Sequence, residues 1–222
     1  MNGRHEQKYY INSSDYAQLR AMLRTVAKPD VHALSDGTYR VRSLYFDNYS
    51  DKVITDKLSG QSRREKFRVR YYNGDTSFIR LERKSKANKL SYKEDTMITA
   101  AQCMALIAGD YSCLNMPGDP LMMELYAKVR CQNLRPKSIV DYDREAYTYR
   151  AGNVRITFDA NVRTSNNIAG FLDPEQVTIP AANTIIMEVK YDGFLPDMIR
   201  GLLSSGCSNQ TEFSKYVAAR LV

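Results

Sequence analysis

From Lys66 to Tyr71 the chain alternates a cation with an apolar or aromatic residue: Lys66-Phe67-Arg68-Val69-Arg70-Tyr71. Side chains of an extended strand point to opposite faces in turn, so Lys66, Arg68 and Arg70 share one face and Phe67 and Val69 the other. Asn73-Gly74 follows directly, a pair suited to the positive φ angles of a two-residue hairpin turn. The returning segment carries Arg80, Glu82, Lys84 and Lys86 on one parity and Ile79 and Leu81 on the other. The same split recurs later, where Arg155, Thr157 and Asp159 oppose Val154, Ile156 and Phe158, and Glu188 and Lys190 oppose Met187 and Val189. Few folds accommodate this. The apolar parity needs a cover, and the charged parity needs bulk water or a polyanion.

Two readings of the charged faces stay open at the level of pattern. Each is the solvated side of a half-buried antiparallel sheet, or the sheet curls so that these faces line an enclosed channel. A solvated face ordinarily mixes small polar residues and both charge signs, because like charges stacked across strands repel. Here Arg and Lys recur on adjacent strands with few carboxylates, and a bound polyanion would relieve that repulsion. Phosphate suits such a surface: Arg offers a planar fork of donors and Lys a compact point charge. A carboxylate in so positive a field either pairs with a cation or holds a hard divalent ion through oxygen. Glu188 and Glu6 are the candidates, with a simple ion pair the favoured reading for Glu6.

The rest of the chain fits an antiparallel α+β domain spanning 1–222. Strands are expected at Lys8–Ile11, Thr38–Phe46, Lys66–Tyr72, Phe78–Lys86, Leu90–Ile98, Lys137–Tyr149, Val154–Phe158 and Thr184–Tyr191, joined largely by short turns. Leu19, Met22, Leu23 and Val26 mark a helix whose cap is sought in Ser13-Ser14-Asp15, with Gln18 placed as in a capping box. Further helices are read at Ala100–Ala108, Pro120–Asn133 with Asp119 as cap, Pro196–Ser204 and Thr211–Val222.

Composition narrows the chemistry. The net charge of +7 favours an anionic partner. No Gly-rich GxxxxGK[ST] loop occurs, which excludes a Walker-type nucleotide site, and His5 and His32 are too few for a Ser-His-Asp or Cys-His set. Cys103, Cys113, Cys131 and Cys207 are scattered and read as reduced structural thiols. Tyr9, Tyr10, Tyr71 and Tyr72 lie near cations but read as packing residues with a polar tip, so no nucleic-acid partner is expected. No apolar run is long enough to span a membrane and Met1–Glu6 offers no secretory signal, so a cytoplasmic location is expected.

Arg4-His5-Glu6-Gln7-Lys8-Tyr9, Arg42-Ser43-Leu44-Tyr45-Phe46-Asp47, the Lys66–Tyr71 strand and Leu81-Glu82-Arg83-Lys84 occur in that order. Tyr142-Asp143-Arg144-Glu145-Ala146-Tyr147, Arg155-Ile156-Thr157-Phe158-Asp159, Met187-Glu188-Val189-Lys190 and Phe213-Ser214-Lys215-Tyr216 complete the series. Together they resemble the VTC domain, the polyphosphate polymerase module of the vacuolar transporter chaperone complex and a triphosphate tunnel metalloenzyme.

That resemblance implies a closed antiparallel β-barrel whose tunnel binds ATP and polyphosphate with Mn²⁺ or Mg²⁺. It implies phosphate contacts from Lys8, Arg68, Arg70, Lys84, Lys93, Arg144, Arg155 and Lys190, with Tyr142 and Ser214 beside them. Lys215, Arg70 and Arg144 would act on the reacting phosphate, and Glu188, with Glu6, would hold the metal. Polyphosphate synthesis is the implied activity; triphosphate hydrolysis and silent polyphosphate sensing are the alternatives. The yeast-type relatives carry an SPX domain and a membrane portion for which the 222 residues leave no room. Glu6-Gln7-Lys8 has one acid fewer than the ExExK signature of the triphosphatase and cyclase branch, which favours the polymerase branch.

Overall fold

A computed structural model describes residues 3–87, 90–206 and 209–222. The strands are β1 (His5–Ile11), β2 (Lys28–Pro29), β3 (Thr38–Asp47), β4 (Arg64–Tyr72), β5 (Asp75–Ala87), β6 (Leu90–Ile98), β7 (Arg135–Tyr149), β8 (Val154–Ser165), β9 (Ile179–Ala182), β10 (Ile185–Tyr191) and β11 (Asn209–Gln210). They form one antiparallel sheet in the order β11-β1-β10-β8-β7-β3-β4-β5-β6, with β2 beside β7 and β9 beside β8. Asn73 and Gly74 take φ values of 52° and 76°, as the hairpin between β4 and β5 requires.

The expected closed barrel is not formed. The ladder ends at β6 on one side and at β1 with β11 on the other. Among the described residues one bridge joins the two ends: Arg4 and Ser91 exchange two backbone hydrogen bonds of 3.0 Å. Farther along β1 its free edge is taken by β11, which pairs Tyr9 with Gln210 and Tyr10 with Asn209. The sheet is therefore curled but seamed.

Among the described residues six α-helices complete the fold: α1 (Ser13–Val26), α2 (Lys52–Leu58), α3 (Ala100–Ala108), α4 (Pro120–Gln132), α5 (Asp197–Gly206) and α6 (Lys215–Arg220). The apolar parity of β3, β4, β5 and β7 packs under α3 and α4, with Leu44, Phe67, Val69, Leu81 and Leu125 buried together. The apolar parity of β1, β8 and β10 packs under α1 and α5 through Leu19, Phe158, Met187, Val189 and Ile199. Each such side chain contributes roughly 1.5–3 kcal/mol on burial, which fixes the other parity toward the concave face.

Several expected helix ends shift, α5 running Asp197–Gly206 rather than Pro196–Ser204 and α6 ending at Arg220 rather than Val222, and two helix starts have an identifiable cause. Asn12, not a residue of the Ser13-Ser14-Asp15 run, caps α1, its side chain accepting from Asp15 N at 2.8 Å. All four residues are favourable cap types, so composition alone does not choose among them. The last helix starts at Lys215 rather than Thr211: the Phe213 carbonyl, which a longer helix would offer to Val217 N, accepts from Lys8 Nζ at 2.9 Å, and Val217 N donates to the capping Ser214 hydroxyl. Cys103, Cys113 and Cys131 are free thiols, and Cys207 lies outside the described residues.

Candidate functional site

Strand register gathers the charged parities onto one concave face. Lys8 lies opposite Glu188 and Glu6 opposite Lys190, Glu188 opposite Thr157 and Lys190 opposite Arg155, and Asp159 opposite Arg144. Tyr39 faces Arg144 and Val41 faces Tyr142, while Tyr45 faces Arg68 and Ser43 faces Arg70. Arg68 then meets Glu82 and Lys66 meets Lys84, and Lys84 meets Lys93 on the last strand. All the strand residues expected in the site thus share one surface; Lys215 and Ser214 reach its edge from the start of α6. The concave face is not charged throughout, since Val41, Tyr45, Val140 and Tyr142 bury Tyr216 and Ala219 of α6 against it.

Two cavities occupy this face. One of about 350 Å³ is rimmed by Arg68, Arg70, Lys93, Arg144, Arg155 and Lys190, among others. A narrower one of about 90 Å³ contains Lys8, Lys66 and Ser214. Glu6, Lys84 and Ser91 line both, so the two are adjacent.

The carboxylates form a spine between the cations. Glu82 is fully buried, with Arg68 at 2.6 Å, Lys93 at 2.9 Å and Arg70 at 3.8 Å. Burial raises its pKa, but Arg68, Arg70 and Lys93 outweigh that and hold it ionised, well below the usual range. Asp159 receives Arg144 through two bonds of 2.6 and 2.8 Å and Lys215 at 2.6 Å, and is likewise held low against its burial. Glu6 pairs with Lys84 at 2.6 Å and Lys8 at 3.4 Å. Its burial and Glu188 push upward, yet Lys84, Lys8 and Lys190 bring it down to about 2.

Three tyrosines carry guanidinium groups. Arg70 donates to Tyr142 Oη at 2.9 Å and to Ser43 Oγ at 3.0 Å, while Lys215 Nζ stands 4.7 Å from the Tyr142 ring centroid. Arg68 donates to Tyr45 Oη at 3.0 Å. Arg155 is fixed by Asp30 and by Tyr39 Oη at 3.0 Å. Lys66 has no carboxylate within ion-pair distance among the described residues; burial depresses its ammonium to about 7, and Lys84, Lys8 and Arg68 add to the fall. These cations are placed before any ligand arrives, which lowers the cost of ordering them on binding.

The test for a divalent ion is what the carboxylates leave over. Among the described residues no three His, Cys, Asp or Glu side chains cluster as a cage. Glu188 Oε1 is buried and meets Lys190 Nζ at 2.9 Å and Lys84 Nζ at 3.9 Å as ion pairs without hydrogen-bond geometry, and the buried hydroxyl of Thr157, its cross-strand neighbour, makes no hydrogen bond among the described residues. Mg²⁺ and Mn²⁺ sites commonly use one or two carboxylates and complete their shell with substrate phosphates, and these oxygens fit that mode. Glu6 is hydrogen-bonded by Lys84 at 2.6 Å and paired with Lys8 at 3.4 Å, in line with its expected ion pair.

Sequence reasoning did not put Glu82, Asp159, Thr157, Tyr45, Tyr39 or Lys66 among the site residues. Glu82, Asp159, Thr157 and Lys66 stand on the alternating parities already noted, so the strand period could have found them. Tyr39 and Tyr45 share a parity in β3 whose neighbours are mostly apolar, and only the register with β4 and β7 reveals their position.

No curated protein matches the chain. Among solved structures, a proposed adenylate cyclase from Bacillus halodurans superposes with a TM-score of 0.55 at 13% identity, over 96% of this chain and 95% of its own. The PH1819 protein of Pyrococcus horikoshii OT3 reaches a TM-score of 0.49 at 12% identity, over 97% of this chain and 96% of its own, and nothing rests on it. At such identities the likeness speaks for the fold alone. Residues 3–222 match the VTC domain. With nearly the whole length so matched, the chain belongs to the VTC domain family.

Proposed function

We propose that this protein lengthens polyphosphate by transferring the γ-phosphate of a nucleoside triphosphate such as ATP onto a phosphate chain held in the concave site. The observation that carries the reading is the convergence of Arg68, Arg70, Arg144, Arg155, Lys84, Lys93 and Lys190 on one cavity of about 350 Å³. So dense a set of cations binds a linear polyanion better than it binds any neutral substrate.

The chain's own groups would work by position and charge. Arg68, Arg70 and Arg144, each braced by a buried carboxylate or a tyrosine, grip non-bridging oxygens and absorb the charge that spreads over the transferred group. Lys215, held over Tyr142 by Asp159, reaches the same oxygens from the mouth. Lys8, Lys84, Lys93, Arg155 and Lys190 hold the remaining phosphates in register, and Ser214 orients α6 by capping it. Mn²⁺ or Mg²⁺, held by Glu188 with Thr157 or Glu6, would neutralise phosphate oxygens when bound.

The test is to incubate purified protein with ATP and Mn²⁺ and separate polyphosphate from orthophosphate. Growth of a chain supports the reading. Orthophosphate as the product assigns the site to hydrolysis, and tight polyphosphate binding without turnover assigns it to sensing.

A further inference from the structure

The segment from Asn209 to Ser214 crosses from the outer edge of β1 to the start of α6, on the stretch of β1 that does not reach β6. It is tied down through Lys8, whose carbonyl accepts from Thr211 N at 2.8 Å and whose Nζ donates to Phe213 O at 2.9 Å. From this strap Glu212 extends over the narrower cavity. Its carboxylate meets Lys57 of α2 at 2.8 Å, Lys86 of β5 at 3.3 Å and Arg64 of β4 at 3.4 Å.

The distribution of exposure is unusual for a stabilising ion pair. Glu212 is 67% exposed, whereas Lys57, Arg64 and Lys86 are only 19%, 20% and 27% exposed. Three half-buried cations from three elements are thus aimed at one solvent-facing anion, leaving two positive charges uncompensated. An exposed pair of this kind adds little stability, so stability does not account for the convergence. The same cavity continues inward to Lys8, Lys66 and Lys84.

We propose that Lys57, Arg64 and Lys86 form an outer subsite for inorganic polyphosphate, with the Glu212 carboxylate holding the place of a phosphate until a chain long enough to leave the interior displaces it. The inference rests on the proposed phosphate-chain function and extends it to chain length. Phosphate, rather than nucleic acid, fits because among the described residues Phe213 is the one aromatic lining the cavity and its ring is engaged edge-on with Tyr10, leaving no platform for stacked bases.

The experiment compares binding of tripolyphosphate and of a long polyphosphate to the full chain by calorimetry. Variants are Glu212→Gln, the triple Lys57→Ala/Arg64→Ala/Lys86→Ala and the single Lys86→Ala. The triple variant is expected to weaken long polyphosphate roughly tenfold, as three partly exposed charge contacts should, and Glu212→Gln to tighten it severalfold. Tripolyphosphate affinity stays at the wild-type value in each, which also reports a folded interior; Lys86→Ala gives a smaller loss of the same kind if the triple variant fails to fold. Long polyphosphate binding that none of the variants alters, or equal changes for both ligands, overturns the outer subsite while leaving the interior function standing. An equal loss for single-stranded RNA overturns its assignment to inorganic phosphate. A wild-type protein that binds neither phosphate overturns both readings.

Discussion

Lys215 places its Nζ 2.6 Å from Asp159 Oδ2, so the first residue of α6 is anchored to a fully buried carboxylate of β8. Arg144 occupies both oxygens of that same carboxylate. Asp159 therefore aims two cations, from separate elements, at the ring of Tyr142, with Lys215 4.7 Å and Arg144 5.2 Å from its centroid.

Lys215→Met removes one of these cations and leaves Asp159 paired with Arg144. Turnover of ATP in the presence of Mn²⁺ is expected to fall by about 100-fold, in the range for losing one preorganised charge donor, with little change in Tm. Asp159→Asn loosens both cations at once and should lower turnover and Tm together. Steady-state kinetics beside thermal melts distinguish the two variants, and a fully active Lys215→Met would remove Lys215 from the reaction.

At the metal candidate, Glu188→Gln keeps the shape and removes the charge. Manganese-dependent turnover should drop by roughly 100-fold or more, and Mn²⁺ affinity measured with tripolyphosphate present should drop with it. Thr157→Val is expected to weaken Mn²⁺ by a smaller factor. Unchanged Mn²⁺ binding in both variants would place the ion elsewhere.

The pH response follows from the carboxylate spine. Burial and Glu188 raise the Glu6 pKa while Lys84, Lys8 and Lys190 together lower it to about 2, from an ordinary value near 4.5. A folded-state pKa below the unfolded one gives stability that is fully present above the unfolded value and is lost as pH falls through the folded one. Tm is therefore expected to decline from about pH 4.5 toward pH 2, with Glu82, Glu188 and Asp159, also held low, adding to the slope. Glu6→Gln should flatten part of that decline in melts recorded across this interval; an unaltered slope would mean that the Glu6 pairs do not persist in solution.

Asp141 offers a control on the opposite face of β7. It is fully buried and accepts Arg42 Nε at 2.9 Å and Arg40 Nη2 at 2.6 Å. Asp141→Ala leaves the Arg42 guanidinium buried with fewer partners and is expected to cost about 3–5 kcal/mol in chemical denaturation. Polyphosphate affinity of the folded fraction should remain that of wild type, because neither Asp141 nor Arg42 lines the cationic cavities.

The parity of the strands was the most legible part of the sequence, because a period of two assigns Arg68, Arg70, Lys84, Arg155 and Glu188 to one face whatever the sheet does later. Alternation does not encode curvature, so whether that face would meet water or enclose a cavity was left open by pattern. Nor does it encode closure. The seam depends on how far β1 runs before β11 claims its edge, a competition between two short polar segments that no periodicity records. The segment 211–214 read as helix since nothing in Thr211-Glu212-Phe213 breaks one; tertiary bonds to Lys8 decided otherwise.

The bridge between Arg4 and Ser91 has a consequence for how a polymer would be loaded. A cylinder laddered all the way round admits a long molecule only by its tip. Among the described residues two backbone hydrogen bonds, the Lys84–Glu6 ion pair and the Lys86–Glu212 ion pair hold lip to lip, so a linear polyanion entering sidewise parts mostly side-chain contacts that its own charges can replace, and need not be drawn through to its end.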